Sequence, residues 1–76
     1  MRVNHDGDSV TVCKKGWSPY LKISSRNRIS EDGTIKKCLT VDVSACLTGS
    51  FAEAEEQAKS YVEAFKLARE VLDYDE

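Results

Sequence analysis

The sequence predicts an α+β fold in which a three-stranded antiparallel β-sheet, a meander, packs on one long C-terminal α-helix in the order βββα. The first observation is the alternation of apolar and polar residues from Thr34 to Leu47, which is typical of a half-buried strand. The second is a change at Gly49–Ser50 to apolar residues spaced by three and four, the period of an amphipathic helix. A chain of 76 residues is expected to form a single small domain, residues 1–76.

Three strands are predicted ahead of the helix. They cover residues 9–15, 20–29 and 34–47. The first alternates Val10 and Val12 with polar residues. Asp32–Gly33, between the second strand and the third, favours a hairpin turn because such turns need positive φ angles. Residues 3–5 allow a further brief strand before the first.

The helix is predicted over residues 51–73. It begins with Ser50 three residues before Glu53, the spacing of a capping box. Its apolar face is formed by Phe51, Ala54, Ala58, Tyr61, Phe65, Ala68 and Leu72. We expect this face to cover the apolar side of the sheet. Its heptad spacing also allows a helix-to-helix seam, so both a monomer and a homodimer through the helix stay open.

The net charge of -2 is the sum of a basic first part and an acidic second part of the chain. Residues 1–50 carry eight Lys and Arg against five Asp and Glu, whereas residues 51–76 carry three against eight. Alternation places Lys22, Arg26, Arg28 and Lys36 of the second and third strands on the sheet face opposite the helix. The sequence therefore predicts a basic open face and an acidic helix.

The basic open face is a candidate nucleic-acid interface, formed by Lys22, Arg26, Arg28 and Lys36. The βββα order resembles that of integrase arm-type and AP2-like DNA-binding domains, in which the sheet meets DNA and the helix backs it. The resemblance is one of architecture, and no residue roles are transferred. DNA binding is therefore the alternative function. A pI near 5.4 argues against a dedicated DNA binder, and lysines on a solvated strand also protect sheet edges.

An acidic face on the helix is a candidate contact for a protein partner. Glu56, Glu63 and Glu70 recur at every seventh residue and could meet a basic surface. The other interpretation is a solvated face on which Lys59 and Lys66 pair with the first two glutamates.

Trp17 and Tyr20 form an aromatic cluster in the turn after the first strand. Aromatic residues on a loop are typical of binding hot spots, which makes this turn a second candidate contact for a protein partner. Trp17 equally suits a cap over one end of the small core.

The chain lacks the residue patterns of common catalytic and metal sites. Cys13, Cys38 and Cys46 form no CxxC pair, and the lone His5 has no ligand spacing with them, so we expect no metal and no cofactor. No nucleophile motif or glycine-rich phosphate loop is present. A chain this small has little room for a catalytic cleft, so the sequence predicts a protein that is not an enzyme.

The sequence also predicts a cytoplasmic protein without membrane contact, because it has no long apolar stretch or apolar leader and its odd number of cysteines suits a reducing compartment. The leading hypothesis is a non-enzymatic protein-binding module. In its most specific form this is a phage or mobile-element accessory protein, of the anti-defence type, that inhibits a larger host complex by surface occlusion.

Overall fold

The computed structural model describes residues 2–14, 19–44 and 48–75, and within them four strands precede one helix. The elements are β1 (Arg2–Asp6), β2 (Ser9–Cys13), β3 (Leu21–Ile29), β4 (Ile35–Val43) and α1 (Phe51–Val71). The strands form one antiparallel sheet in the order β1-β2-β3-β4. The α+β class and the meander connection are therefore confirmed.

The predicted number of three strands is wrong, because β1 adds a fourth strand at one edge of the sheet. It pairs Val3 with Val12 and His5 with Val10. The hairpin between β1 and β2 turns at Gly7, whose φ of 56° lies in the left-handed region that glycine enters at little cost. With one apolar side chain, β1 has too little alternation for the sequence to require a strand.

The predicted bounds are longer than the elements. The structure ends β2 at Cys13, starts β3 at Leu21, limits β4 to Ile35–Val43 and ends α1 at Val71. The predicted strand residues Lys15 and 45–47 lie outside the described residues.

The β3–β4 hairpin closes through residues 30–34, as predicted. Gly33 has a φ of 84°, and its N–H donates to the Ser30 carbonyl at 2.9 Å. Asp32 accepts hydrogen bonds from the Ser30 hydroxyl and, at 3.0 Å, from the Thr34 N–H. These bonds stabilise the carboxylate and lower the pKa of Asp32 to about 2. The turn thereby fixes the register in which Ile29 pairs with Ile35.

The helix begins at the predicted capping serine. Ser50 Oγ accepts a hydrogen bond from the Glu53 N–H at 3.2 Å. Glu53 Oε2 in turn accepts from the Gly49 N–H at 2.7 Å, one residue earlier than in the usual reciprocal box. Two backbone donors at the helix start are satisfied in this way, and the Glu53 charge is favourable at the positive end of the helix dipole.

The hydrophobic core lies between α1 and the first three strands. Its buried apolar side chains are Val10, Val12, Leu21, Ile23, Ala64, Ala68 and Leu72, with Val3, Tyr61 and Leu67 packed against them. Within the described residues, α1 contacts β1, β2 and β3 and does not reach β4. The core therefore occupies only part of the sheet face that the helix is on.

The helix packs through a face rotated away from the predicted one. Ser60, Ala64 and Ala68 are its buried residues, whereas Phe65 is 45% and Phe51 is 90% exposed. Small side chains at the contact allow the helix backbone to come close to the strands, and aromatic rings there would hold it away. The predicted apolar face is therefore wrong in its first half and at Phe65, since Phe51, Ala54 and Ala58 are exposed as well. Ala68 and Leu72 are buried as expected, and Tyr61 packs against the core.

The molecule is elongated for its length. Its principal extents are 49 × 21 × 21 Å and its radius of gyration is 14.2 Å, against about 11 Å for a compact domain of this size. The solvent-accessible surface is 5912 Å², against about 4,700 Å² for a compact monomer of the same mass. The chain thus leaves more surface in water than its size requires.

The rotation of the helix is tested by enlarging one alanine on each face. Ala64 is fully buried and Ala58 is exposed. We expect Ala64→Leu to lower the free energy of unfolding by about 1–3 kcal/mol through overpacking, and Ala58→Leu to change it by less than about 0.5 kcal/mol. Urea unfolding followed by circular dichroism measures both variants. A larger loss in Ala58→Leu would instead support the face predicted from the sequence.

Candidate functional site

The helix-side face of the sheet continues past the helix as an exposed apolar surface. We call Leu39, Val41 and Val43 of β4 the apolar strip; these side chains are 38%, 45% and 64% exposed. Val41 pairs with the buried Ile23 and Val43 with the buried Leu21, so the strip shares the face that forms the core. The sequence predicted that these residues belong to the core. They lie on the predicted face, but the described part of the chain covers them only in part.

More apolar surface lies at the tip of the β3–β4 hairpin and on α1. Ile29 and Ile35, paired at the hairpin tip, are 72% and 65% exposed. Val62 and Phe65 are exposed on α1. A monomer rarely leaves a large contiguous apolar surface in water, so the row of apolar side chains along β4 has the character of an interface.

The strip coincides with an open edge of the sheet. Ser44 N–H donates to the Tyr20 carbonyl at 2.8 Å, and the Thr34 carbonyl accepts from Ser30 N–H at 2.9 Å, so even-numbered residues of this segment direct their backbone groups toward β3. Antiparallel pairing alternates, and the odd-numbered residues therefore direct theirs outward. Within the described residues, the backbone groups of Leu39 and Val41 have no partner on that side.

The segment that follows α1 covers the outer edge of β4 at one residue, Lys37. Lys37 N–H donates to Asp75 Oδ2 at 2.8 Å, and the Lys37 carbonyl accepts from Asp75 N–H at 2.7 Å. Asp73 forms an ion pair with the Lys37 ammonium, and its carbonyl accepts from the Ser25 hydroxyl. The hydrogen bond from Lys37 to Asp73 raises the pKa of Lys37. We call this segment, Asp73–Asp75, the edge cap.

The opposite face of the sheet carries the basic residues that alternation placed there. Arg28 pairs with Lys36, Arg26 with Cys38 and Lys22 with Asp42, which puts all four cations on one side of β3 and β4. Each is exposed, and among the described residues none forms an ion pair. The predicted basic open face is therefore assembled, with Asp42 as the acid paired across from Lys22.

A shallow depression of about 410 Å³ lies on this part of the sheet. It is lined by Asp8, Ser9, Lys22, Ser24, Ser25, Arg26 and Asn27. Ser24 is 6% exposed, and its hydroxyl has no hydrogen-bond partner among the described residues. A buried polar group without a partner is costly, so this hydroxyl is an unfavourable feature of the described structure.

The acidic candidates on α1 are all at the surface. Glu56, Glu63 and Glu70 are exposed, in line with their seven-residue spacing. Neither Lys59 nor Lys66 forms an ion pair with them among the described residues. The three carboxylates are free to meet a cationic surface.

The aromatic turn is only partly within the described residues. Trp17 lies outside them, so its two interpretations stay predictions. Tyr20 is half-buried, and its backbone carbonyl accepts from Ser44 beyond the end of β4. Tyr20 is thus placed at the Val43 end of the apolar strip.

The titratable and metal-binding side chains do not converge in the described part of the chain. No three of its His, Cys, Asp and Glu residues are grouped as they would be around a metal ion. His5 Nε2 lies 2.9 Å from the Gly7 carbonyl in the β1–β2 turn. Asp32 and Lys37, whose pKa values are shifted, are exposed groups that hold a turn and the edge cap.

Comparison of the chain with protein-family models, with curated proteins and with solved structures finds no match. No helix among the described residues has the length and apolar character needed to cross a membrane.

The edge cap is tested by amide hydrogen exchange. Asp75→Ala removes the carboxylate that accepts from the Lys37 N–H, and we expect exchange of that amide to speed up by roughly tenfold or more. The Cys38 amide, which faces β3, serves as the internal control and should keep its rate. Equal rates for Lys37 in both proteins would show that the cap does not hold the edge in solution.

Proposed function

We propose that the chain is a non-enzymatic protein-binding module and that its interface includes the apolar strip and the open edge of β4. The observation that carries this proposal is the exposure of Leu39, Val41 and Val43 on a face whose other half is the core. A partner that covers these three side chains would bury the apolar surface of β4 that, in the described part of the chain, α1 does not contact.

The energetics favour a protein partner over a small ligand. Burying the exposed part of each strip residue stabilises a complex by about 1 kcal/mol, at about 25 cal/mol per Å² of apolar surface. The outward backbone groups of β4 add hydrogen bonds when an extended segment pairs with them, which is the β-augmentation mode of recognition. A flat strip beside an open strand offers a small molecule little enclosure.

The partner of the module is proposed to be a larger complex whose surface the chain occludes, as an inhibitor encoded by a phage or mobile element would do. The exposed carboxylates of Glu56, Glu63 and Glu70 support a cationic rim on that partner. Tyr20 and Trp17 are proposed as further contacts. Cys13 and Cys38 are free thiols, which supports a reducing, cytoplasmic location for this activity.

The proposed interface is tested with two matched valine substitutions. Val41 and Val62 are 45% and 54% exposed, on β4 and on α1. We expect an immobilised chain to retain a stoichiometric protein partner from lysate of its source cells, and Val41→Lys to lose it while Val62→Lys retains it. Mass spectrometry identifies and quantifies the bound protein.

A charge-reversed helix, Glu56→Lys with Glu63→Lys and Glu70→Lys, separates the surfaces further. We expect it to weaken capture without abolishing it, because rim charges affect association more than the buried contact does. Loss of the partner in this variant alone would assign the interface to the helix. Failure of every form of the chain to retain a protein would count against a protein-binding function.

A second candidate function is DNA binding by the basic open face. Four exposed cations without ion-pair partners in the described part of the chain support phosphate contacts at this surface. Lys22, Arg26, Arg28 and Lys36 are the proposed contact residues.

This alternative is tested by fluorescence anisotropy with duplex DNA at increasing salt. Arg26→Glu with Arg28→Glu is expected to weaken binding and to reduce the slope of log K against log salt by about 2, because each lost phosphate contact contributes about 1. The control is Lys59→Glu with Lys66→Glu, the same double reversal on α1. Absence of DNA binding by the unmodified chain at low salt would remove this candidate.

A further inference from the structure

We infer that the open edge of β4 is paired with β4 of a second copy of this chain, joining two four-stranded sheets into one of eight strands about a two-fold axis at Val41. This inference rests on the proposed function, because it names the first protein that occupies the proposed interface.

The direction of the backbone groups makes such pairing possible without breaking an existing bond. The outward residues are Leu39, Val41 and Val43, and their side chains lie on the helix-side face. Antiparallel pairing of this segment with itself supplies about six backbone hydrogen bonds across the axis. Two identical apolar strips then become adjacent on one face of a continuous sheet.

The sequence of this segment is complementary to itself in one register. With Val41 opposite Val41, each Leu39 lies opposite Val43 of the other copy, so every cross-axis pair on the helix-side face is apolar. On the other face, Asp42 lies opposite Thr40, so no two like charges are apposed. Register is strongly specified where one face is apolar, because a slip by one residue exposes the whole apolar set.

The edge cap excludes registers in which the strand of the second copy is shifted past Lys37 toward the β3–β4 hairpin. Asp75 holds both backbone groups of Lys37, so a second strand cannot extend past that residue toward the hairpin. In the register centred on Val41, Val43 of the second copy pairs with Leu39 and its strand ends there. A register centred on Leu39 would place Val41 of the second copy against the occupied Lys37. The cap and the end of β4 therefore leave a free edge that fits the Val41 register.

Part of the surface that a second copy would bury is apolar. The chain exposes about 1,200 Å² more than a compact monomer of its mass. The apolar strip belongs to this exposed surface, since its three side chains are 38–64% exposed. Pairing through β4 removes part of the strip from water.

The inference is tested on the purified full chain by sedimentation velocity at concentrations from about 1 μM to about 1 mM, a range that brackets ordinary homodimer affinities. We expect a monomer–dimer equilibrium. Val41→Lys should raise the dimer dissociation constant about a hundredfold or more, because it brings two lysines together at the axis. Val62→Lys, the matched substitution on the helix, should leave the constant unchanged. Circular dichroism checks that both variants keep their fold.

Hydrogen exchange of the unmodified chain gives a second readout that does not depend on a variant. The amides of Leu39, Val41 and Val43 should become protected as the concentration passes the dimer dissociation constant, whereas amides within β3 keep their protection throughout. A chain that stays monomeric up to about 1 mM, where even a weak millimolar dimer would be detected, overturns the inference. So does a dimer that Val62→Lys abolishes and Val41→Lys does not, which would place the contact on the helix.

The inference and the proposed function fail in different ways. A monomeric chain that still captures a different protein through Val41 overturns the dimer and leaves the protein-binding module standing. A dimer that pairs through β4 and retains no other protein supports the inference and removes the proposal of a larger host complex as partner.

Discussion

In this chain one α-helix covers only part of a four-stranded sheet. A helix with its side chains is about 10 Å across, whereas the axes of the outer strands of a four-stranded sheet lie about 14 Å apart. α1 packs over the first three strands, and the small residues Ser60, Ala64 and Ala68 bring it close to them. β4 is left with apolar side chains partly in water. The exposed apolar strip is a consequence of this mismatch in width.

The features that depend on neighbouring residues could be predicted from the sequence. Ser50 and Glu53 mark the helix start by their spacing alone, and Gly33 marks the hairpin turn. Alternation assigned the even-numbered residues of β3 and β4 to one face, and the cross-strand register, in which Arg28 lies opposite Lys36, confirms it. Periodicity identifies which residues share a face, and the register then follows from the turn.

The part of the sheet that the helix covers could not be predicted from neighbouring residues. The odd-numbered residues of β4 have the pattern of a core strand, and only the position of the helix determines whether they are buried. The helix itself has apolar or small residues over much of its circumference, so Ala64 and Phe65 are both reasonable contacts by pattern. Steric approach to the sheet decides between them. Counting β1 as a strand would have revealed that the sheet is too wide for one helix.

The two candidate functions use opposite faces of the same sheet and need not compete. Pairing at β4 extends the helix-side face, and it also places the open face of one copy beside that of the other. The cations of β3 and β4 would then line one surface twice as wide, with a two-fold axis through it. The acidic helices would lie on the far side. In such a dimer the basic open face would be wider because of the apolar contact at β4, although the residues of the apolar strip themselves would not contact the nucleic acid.

The edge cap also bears on whether assembly stops. A sheet with two bare edges can add copies without end, and growth of that type leads to fibres and insoluble aggregates. Here Asp75 occupies the backbone groups of Lys37, so only the few residues around Val41 remain available for pairing at the edge of β4. These residues are complementary to the same residues of a second copy. At the other edge, β1 is five residues long and begins and ends with the charged Arg2 and Asp6. In the proposed dimer, a short acidic segment after the helix would limit β4 to one closed contact and so oppose the addition of further copies.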